Sequence, residues 1–172
     1  MKTLMLLCCL ALASCSGVDV HTYRDQQPTL DLATFFAGRT EAWGIFQKRS
    51  GEVAKRMHVV VDGRLQGDAL ILHEAFTYSD GTRQVREWTL RPDGHGRWRG
   101  TAGDVIGEAT GEVSGNTLHW QYDLNLVVDG KTWQVHFDDW MYLLDAHTLA
   151  NRSTMSKLGI ELGQVSLFFR KP

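Results

Sequence analysis

From Thr117 to Leu143 apolar and polar residues alternate along the chain. Leu118, Trp120, Tyr122, Leu124, Leu126 and Val128 fall on every second position, and Trp133, Val135, Phe137, Met141 and Leu143 keep phase on the return run. Between the two runs stands Asp129-Gly130, a dipeptide that suits the positive-φ centres of a type I′ turn. With those two residues as the loop, Leu126 meets Trp133, Leu124 meets Val135, Tyr122 meets Phe137 and Leu118 meets Met141. Strand side chains alternate with period two, so these pairs share one dry face. The other face receives His119, Gln121, Asp123, Asn125, Gln134, His136 and Asp138. One charge, Asp139, lies on the apolar side, opposite Trp120.

The same rhythm runs through most of the chain. Turn signals recur at Ser50-Gly51, Asp62-Gly63, Asp80-Gly81, Asp93-Gly94 and Ser114-Gly115, separated by segments rich in Val, Trp, Phe and Tyr. No segment sustains a helical period. The spacing predicts nine or ten strands, over 39–49, 53–61, 64–78, 83–91, 96–102, 104–113, 117–128, 131–143, 147–158 and 161–170. A meander of that length has two exposed edges unless it closes. The expected fold is therefore all-β, an antiparallel up-and-down barrel large enough to hold a cavity. Gly100, Gly103, Gly107 and Gly111 would permit the bends that closure requires. Ahead of the first strand, Thr29 is a candidate N-cap for a short helical turn over Leu30–Phe36, closed by Gly38.

The N-terminus adds an address. Lys2, an apolar run from Thr3 to Leu12, and Leu12-Ala13-Ser14-Cys15 have the layout of a secretory leader. The tetrapeptide resembles the bacterial lipobox, whose cysteine is lipidated and becomes the first residue after cleavage. The organisation expected is a signal peptide over 1–14, a lipidated tether over 15–28 and a single barrel domain over 29–172. Cys8 and Cys9 leave with the leader, so no thiol remains beside Cys15 for metal or redox chemistry. The apolar run is too short to span a bilayer, which takes about 20 residues. Ser16 stands where an inner-membrane retention signal has aspartate. The address is the bacterial cell envelope, lipid-anchored, at the outer membrane and facing the periplasm. Without Lys2 the chain has 17 basic and 20 acidic side chains and no basic block, which argues against nucleic acid as a partner.

The chain has no G-x-S-x-G, phosphate loop, dinucleotide fingerprint or H-E-x-x-H, and no cofactor or metal is expected. The seven histidines show no H-x-H or H-x-x-x-H pair; Asp123 and His136 are cross-strand neighbours on what reads as a solvated outer face. Asp139 is more informative. Burying it without a partner is costly or raises its pKa, so it is either a structural acceptor or a polar anchor in an apolar pocket. Its candidate partners are Arg86, two residues before Trp88, and Arg152 in Asn151-Arg152-Ser153. Glu74 interrupts the apolar run Leu70–Phe76 in the same way.

Several phrases resemble a family of bacterial, mainly proteobacterial, lipoproteins known as a domain of unknown function. They are Phe35-Phe36-x-Gly38 with Ala42-Trp43-Gly44, Glu74-x-Phe76, Asp80-Gly81, Arg86-x-Trp88, Asp104-Val105-x-Gly107, Asp138-Asp139-Trp140-Met141, Asn151-Arg152 and Lys157-x-Gly159. The resemblance implies an envelope lipoprotein and no particular activity. Phe36-x-Gly38 before the first strand is also similar to the opening G-x-W block of lipocalins, with the tryptophan displaced here to Trp43.

The function expected is a noncatalytic binding module for a lipid, fatty acid or other apolar small molecule in the barrel. Trp88, Trp120, Tyr122, Trp133, Phe137 and Met141 would supply its walls, and Asp139, Arg86 or Arg152 would fix a polar head. Its membrane contact is the lipid on Cys15, and no oligomeric state is implied. Two rivals stand beside this reading. One is a small isomerase, cyclase or hydrolase using Asp139 or Glu74 as base. The other is a structural partner of an envelope complex that binds through the barrel exterior.

Overall fold

The computed structural model describes residues 17–128 and 130–172. Cys15 and the leader lie outside the described residues, as does Asp129. Ten antiparallel strands follow one another: β1 Gly38–Lys48, β2 Val53–Gln66, β3 Ala69–Tyr78, β4 Arg83–Pro92, β5 Arg97–Ala102, β6 Val105–Ser114, β7 Thr117–Val128, β8 Lys131–Leu143, β9 Thr148–Lys157 and β10 Ile160–Arg170. Each pairs with its sequence neighbours, and β1 pairs with β10 to close the barrel. The strand alternation and the need to hide two edges are thus both satisfied.

The β7–β8 hairpin has the register its alternation implies, from Val128 opposite Lys131 through Tyr122 opposite Phe137 to Thr117 opposite Tyr142. The turn between β2 and β3 does not fall at Asp62-Gly63. Both residues lie inside β2, where Gly63 pairs with Gly38 and Leu72, and the chain reverses at Gly67 and Asp68. Gly63 answers a different need. A Cβ there would stand 1.8 Å from the Phe36 carbonyl oxygen, so the glycine lets the incoming chain cross β2 at close range.

That incoming chain carries the plug. Its helix α1, Leu32–Phe36, starts two residues later than Thr29 implied, because Asp31 is the N-cap and its Oδ1 accepts from the Thr34 N–H at 2.6 Å. Leu30, Leu32, Phe35 and Phe36 are buried against the barrel interior. Phe36 meets Phe35 and Phe169 edge-on, with ring centres 5.0 and 5.6 Å apart. The end of the barrel that holds the β2–β3, β4–β5, β6–β7 and β8–β9 turns is therefore capped, and the opposite end forms the mouth. The segment ahead of α1, expected as a tether, is docked as well. A 3-10 turn at Val20–Tyr23 lies against β6 and β7, and Tyr23 packs on Tyr142 with ring centres 5.5 Å apart.

Candidate functional site

Strand parity sorts the side chains into inside and outside, and pairing carries the sorting around the barrel. From β8 inward-facing Asp139 is level with Ser153 on β9 and Trp120 on β7, while Phe137 is level with Met155 and Tyr122. On the other wall, Glu74 of β3 pairs with Arg86 of β4, and Leu72 with Trp88. Near the plug the inward side chains are sealed: Ala42, Val59, Val61, Leu70, Leu118, Leu143 and Leu149 are all buried. Toward the mouth Phe46, Phe76, Tyr78, Val105, Leu126, Phe137 and Val165 are only half-buried, although they point inward. Inward side chains that water still touches line a space, so the mouth half of the barrel is a solvent-reached lumen. Two outer hollows of about 290 and 540 Å³ involve none of Glu74, Arg86, Tyr122 and Asp139.

The lumen wall is aromatic. Tyr122 and Phe137 stack within 4° of parallel at 5.3 Å, Phe76 stacks on Tyr78, and Trp88 meets Tyr122 edge-on at 5.3 Å. Trp88 and Trp120 lie deeper, and both are buried. Trp120 fits because the next two strands, β6 and β5, carry glycine beside it: a Cβ at Gly100 or Gly111 would stand 2.8 or 2.6 Å from its indole. Met141 is half-buried beside Asn151 and Leu118. Trp133 keeps the inward phase but sits at the rim, 41 % exposed, with the Lys157 ammonium 4.0 Å from its ring centre.

The arginines differ from expectation. Arg152 is exposed; its neighbours Asn151 and Ser153 take the inward positions, and Arg152 lies outside opposite Trp140. Arg86 does face the lumen, with its side chain 17 % exposed, but its partner is Asp104 and not Asp139. Arg86 Nε and Nη2 donate to Asp104 Oδ2 at 3.1 and 2.7 Å. Trp88 pairs with Ala102, so continuing that register two residues places Asp104 beside Arg86. Nothing in the local pattern marks Asp104. It lies in the β5–β6 turn, and only the neighbouring strand makes it a lumen residue.

The acids experience this site differently. Burial pushes the Asp139 carboxyl up to about 8, against the pull of the Tyr122 hydroxyl and the Arg86 charge. Asp139 Oδ1 is buried without a hydrogen-bond partner among the described residues. Burial also raises Glu74 to about 7, with Arg86 pulling it down and Asp104 adding to the rise. Glu74 faces inward beside Arg86 and is half-buried. The Tyr122 phenol is pushed well above its ordinary value by burial and by Asp139. The site thus combines an aromatic wall, one neutralised ion pair and two carboxyls with raised pKa, Asp139 largely and Glu74 partly protonated near neutral pH. His119 and His136, by contrast, are outside. His119 stacks on Trp140 at 4.1 Å, and His136 Nδ1 lies 2.8 Å from Asp123 Oδ1.

Among solved structures, the S-type phycobiliprotein lyase CPES from Guillardia theta has the same barrel fold. It superposes with a TM-score of 0.60 at 6 % identity, over 85 % of this chain and 94 % of that one. Two further barrels bound to DFHBI, the redesigned mFAP1 and EF1p2_mFAP2b, are looser matches. Their TM-scores are 0.43 and 0.45, at 12 % and 9 % identity, over 81 % of this chain and 97 % and 96 % of theirs. No curated protein matches the sequence. Residues 9–171, nearly the whole chain and every strand of the barrel, match the family described as Protein of unknown function (DUF3833), and the chain belongs to that family.

Proposed function

We propose that this protein is a noncatalytic binding module of the bacterial envelope, anchored by lipid at Cys15, that holds an apolar or amphipathic small molecule in the mouth half of its barrel. One observation carries the reading: a plugged barrel whose upper inner wall, Phe76, Tyr78, Leu126 and Phe137, points inward and is still reached by water. Pockets for small molecules are largely apolar, with a few convergent polar groups, and Arg86, Asp104, Glu74 and Asp139 supply those. The anchor fits the same geometry. Four residues from Cys15 to Asp19 reach at most about 14 Å, and the docked 3-10 turn begins beside the plug end of the wall, so the mouth stands away from the bilayer.

Native mass spectrometry of the protein purified from its own envelope tests the binding role. The expected spectrum has one small molecule per chain, released on denaturation. Bare protein mass, together with no quenching of tryptophan fluorescence by apolar probes, would refute the reading. A second reading has its own support: two carboxyls near pKa 7 and 8 facing one arginine suit proton transfer. It requires that the molecule recovered from the envelope be chemically changed by the protein on incubation.

A further inference from the structure

The lumen holds more carboxyls than cations. Glu74, Asp104 and Asp139 face inward around Arg86, whose guanidinium is engaged by Asp104 Oδ2. Asp104 Oδ1 and Asp139 Oδ1 are buried acceptors without a donor among the described residues, and Asp139 is only 5 % exposed. A buried acceptor without a donor is costly, so each oxygen favours a ligand that brings one. A carboxylate or phosphate head could be met only by the protonated forms of Glu74 and Asp139, since the Arg86 guanidinium is already engaged by Asp104. An ammonium head brings three donors and a positive charge. The wall already accommodates one cation through the negative potential of its rings, since the Arg86 guanidinium lies 5.9 Å from the ring centres of Phe76 and Trp88.

Resting on the lumen-binding reading above, we infer that the ligand carries an amine-type cationic head, bound at Asp139 with Glu74 and Asp104 as its acidic surroundings and its apolar tail directed to the mouth. The pH dependence follows from the groups that face Asp139. These are Tyr122 from β7, Arg86 from β4, Glu74 from β3 and, on its own strand but outward, Asp138, while Asp104 from the β5–β6 turn acts on Tyr122 and Glu74. Asp139 is largely protonated in the empty lumen at neutral pH, so an incoming ammonium displaces its proton. Affinity for the cation therefore rises with pH until Asp139 is ionised, near pH 8, while an alkylammonium stays charged up to about pH 10.

Calorimetry and tryptophan quenching with octylammonium, octanol and octanoate at pH 6, 7.5 and 9 test this on the chain from Ser16 onward, which contains every element of the fold. Octylammonium should bind at least about tenfold more tightly than octanoate at pH 7.5, with affinity rising from pH 6 to 9. Asp139→Asn should abolish most of that preference and flatten the rise. Should Asp139→Asn lack a cooperative melt, Glu74→Gln is the second variant, and it should weaken the preference. Octanoate binding as well as octylammonium, or a preference unchanged in the variant, overturns the amine assignment and leaves the lumen reading intact. Failure of all three probes to bind overturns both.

Discussion

Asp139 makes the stability of this barrel depend on pH in a defined direction. Its folded pKa, about 8, lies above that of an unfolded aspartate, near 3.9. The stability it contributes is therefore complete below about pH 4 and is lost as pH rises to 8, where the loss levels off. The slope from this one group is at most about 1.4 kcal/mol per pH unit, and Glu74, raised to about 7, acts with the same sign. Asp139→Asn removes the ionisation, so its melting temperature relative to wild type should climb between pH 5 and 8. Parallel melting curves over that range would mean a solvated carboxyl. Arg86 has the opposite character. Arg86→Leu strands the Asp104 carboxylate in a pair whose side chains are 17 % and 26 % exposed, and should destabilise by about 3 kcal/mol. Adding Asp104→Asn should recover most of that loss in denaturant titrations; no recovery would show that the arginine acts through packing instead.

At the scale of elements, the hairpin and the plug are separable. Gly130 has φ of +74° and nothing within 4 Å of a built Cβ, so Gly130→Val acts through backbone strain alone. It should destabilise by roughly 1–3 kcal/mol, and an unchanged melt would place the turn elsewhere. Gly63→Ala tests the crossing of the chain over β2. Its methyl would collide with the Phe36 carbonyl, forcing α1 to lift at roughly 1–3 kcal/mol. Hydrogen exchange should then quicken at the Thr34 N–H bonded to Asp31 while the β7–β8 amides keep their protection. Equal acceleration in both places would mean that plug and barrel open as one unit.

For the whole molecule, closure and anchoring are the matters of consequence. The β1–β10 ladder runs from Glu41–Arg170 to Lys48–Gly163 and leaves no free sheet edge in the barrel. If Cys15 is the anchor as proposed, the N-terminal segment docked on β6 and β7 would set how the barrel stands on the membrane. Cys15→Ser should yield a precursor that takes up no fatty-acid label and is released from the envelope fraction. Equal labelling of the variant would end the anchoring proposal.

The hairpin register was legible because it is local. Alternation, one Asp-Gly turn and period-two geometry are sufficient to pair Tyr122 with Phe137 and Trp120 with Asp139. The succession of strands and the need to close them were legible for the same reason. Gly63 was misread as a turn residue because a glycine required for a turn and one required for a close crossing look alike until Phe36 is seen above it. The partner of Arg86 was not legible either. It depends on how far the β4–β5 ladder runs before the chain turns, and that brings Asp104 beside Arg86 where Asp139 was expected. Depth was hidden as well. Alternation says which face a side chain takes, not how far along the barrel axis it lies. Only the tertiary structure, by seating α1 in one end, separates a sealed apolar half from a lumen that water enters, and leaves Asp139 buried between Trp120 and Ser153 at the bottom of that lumen.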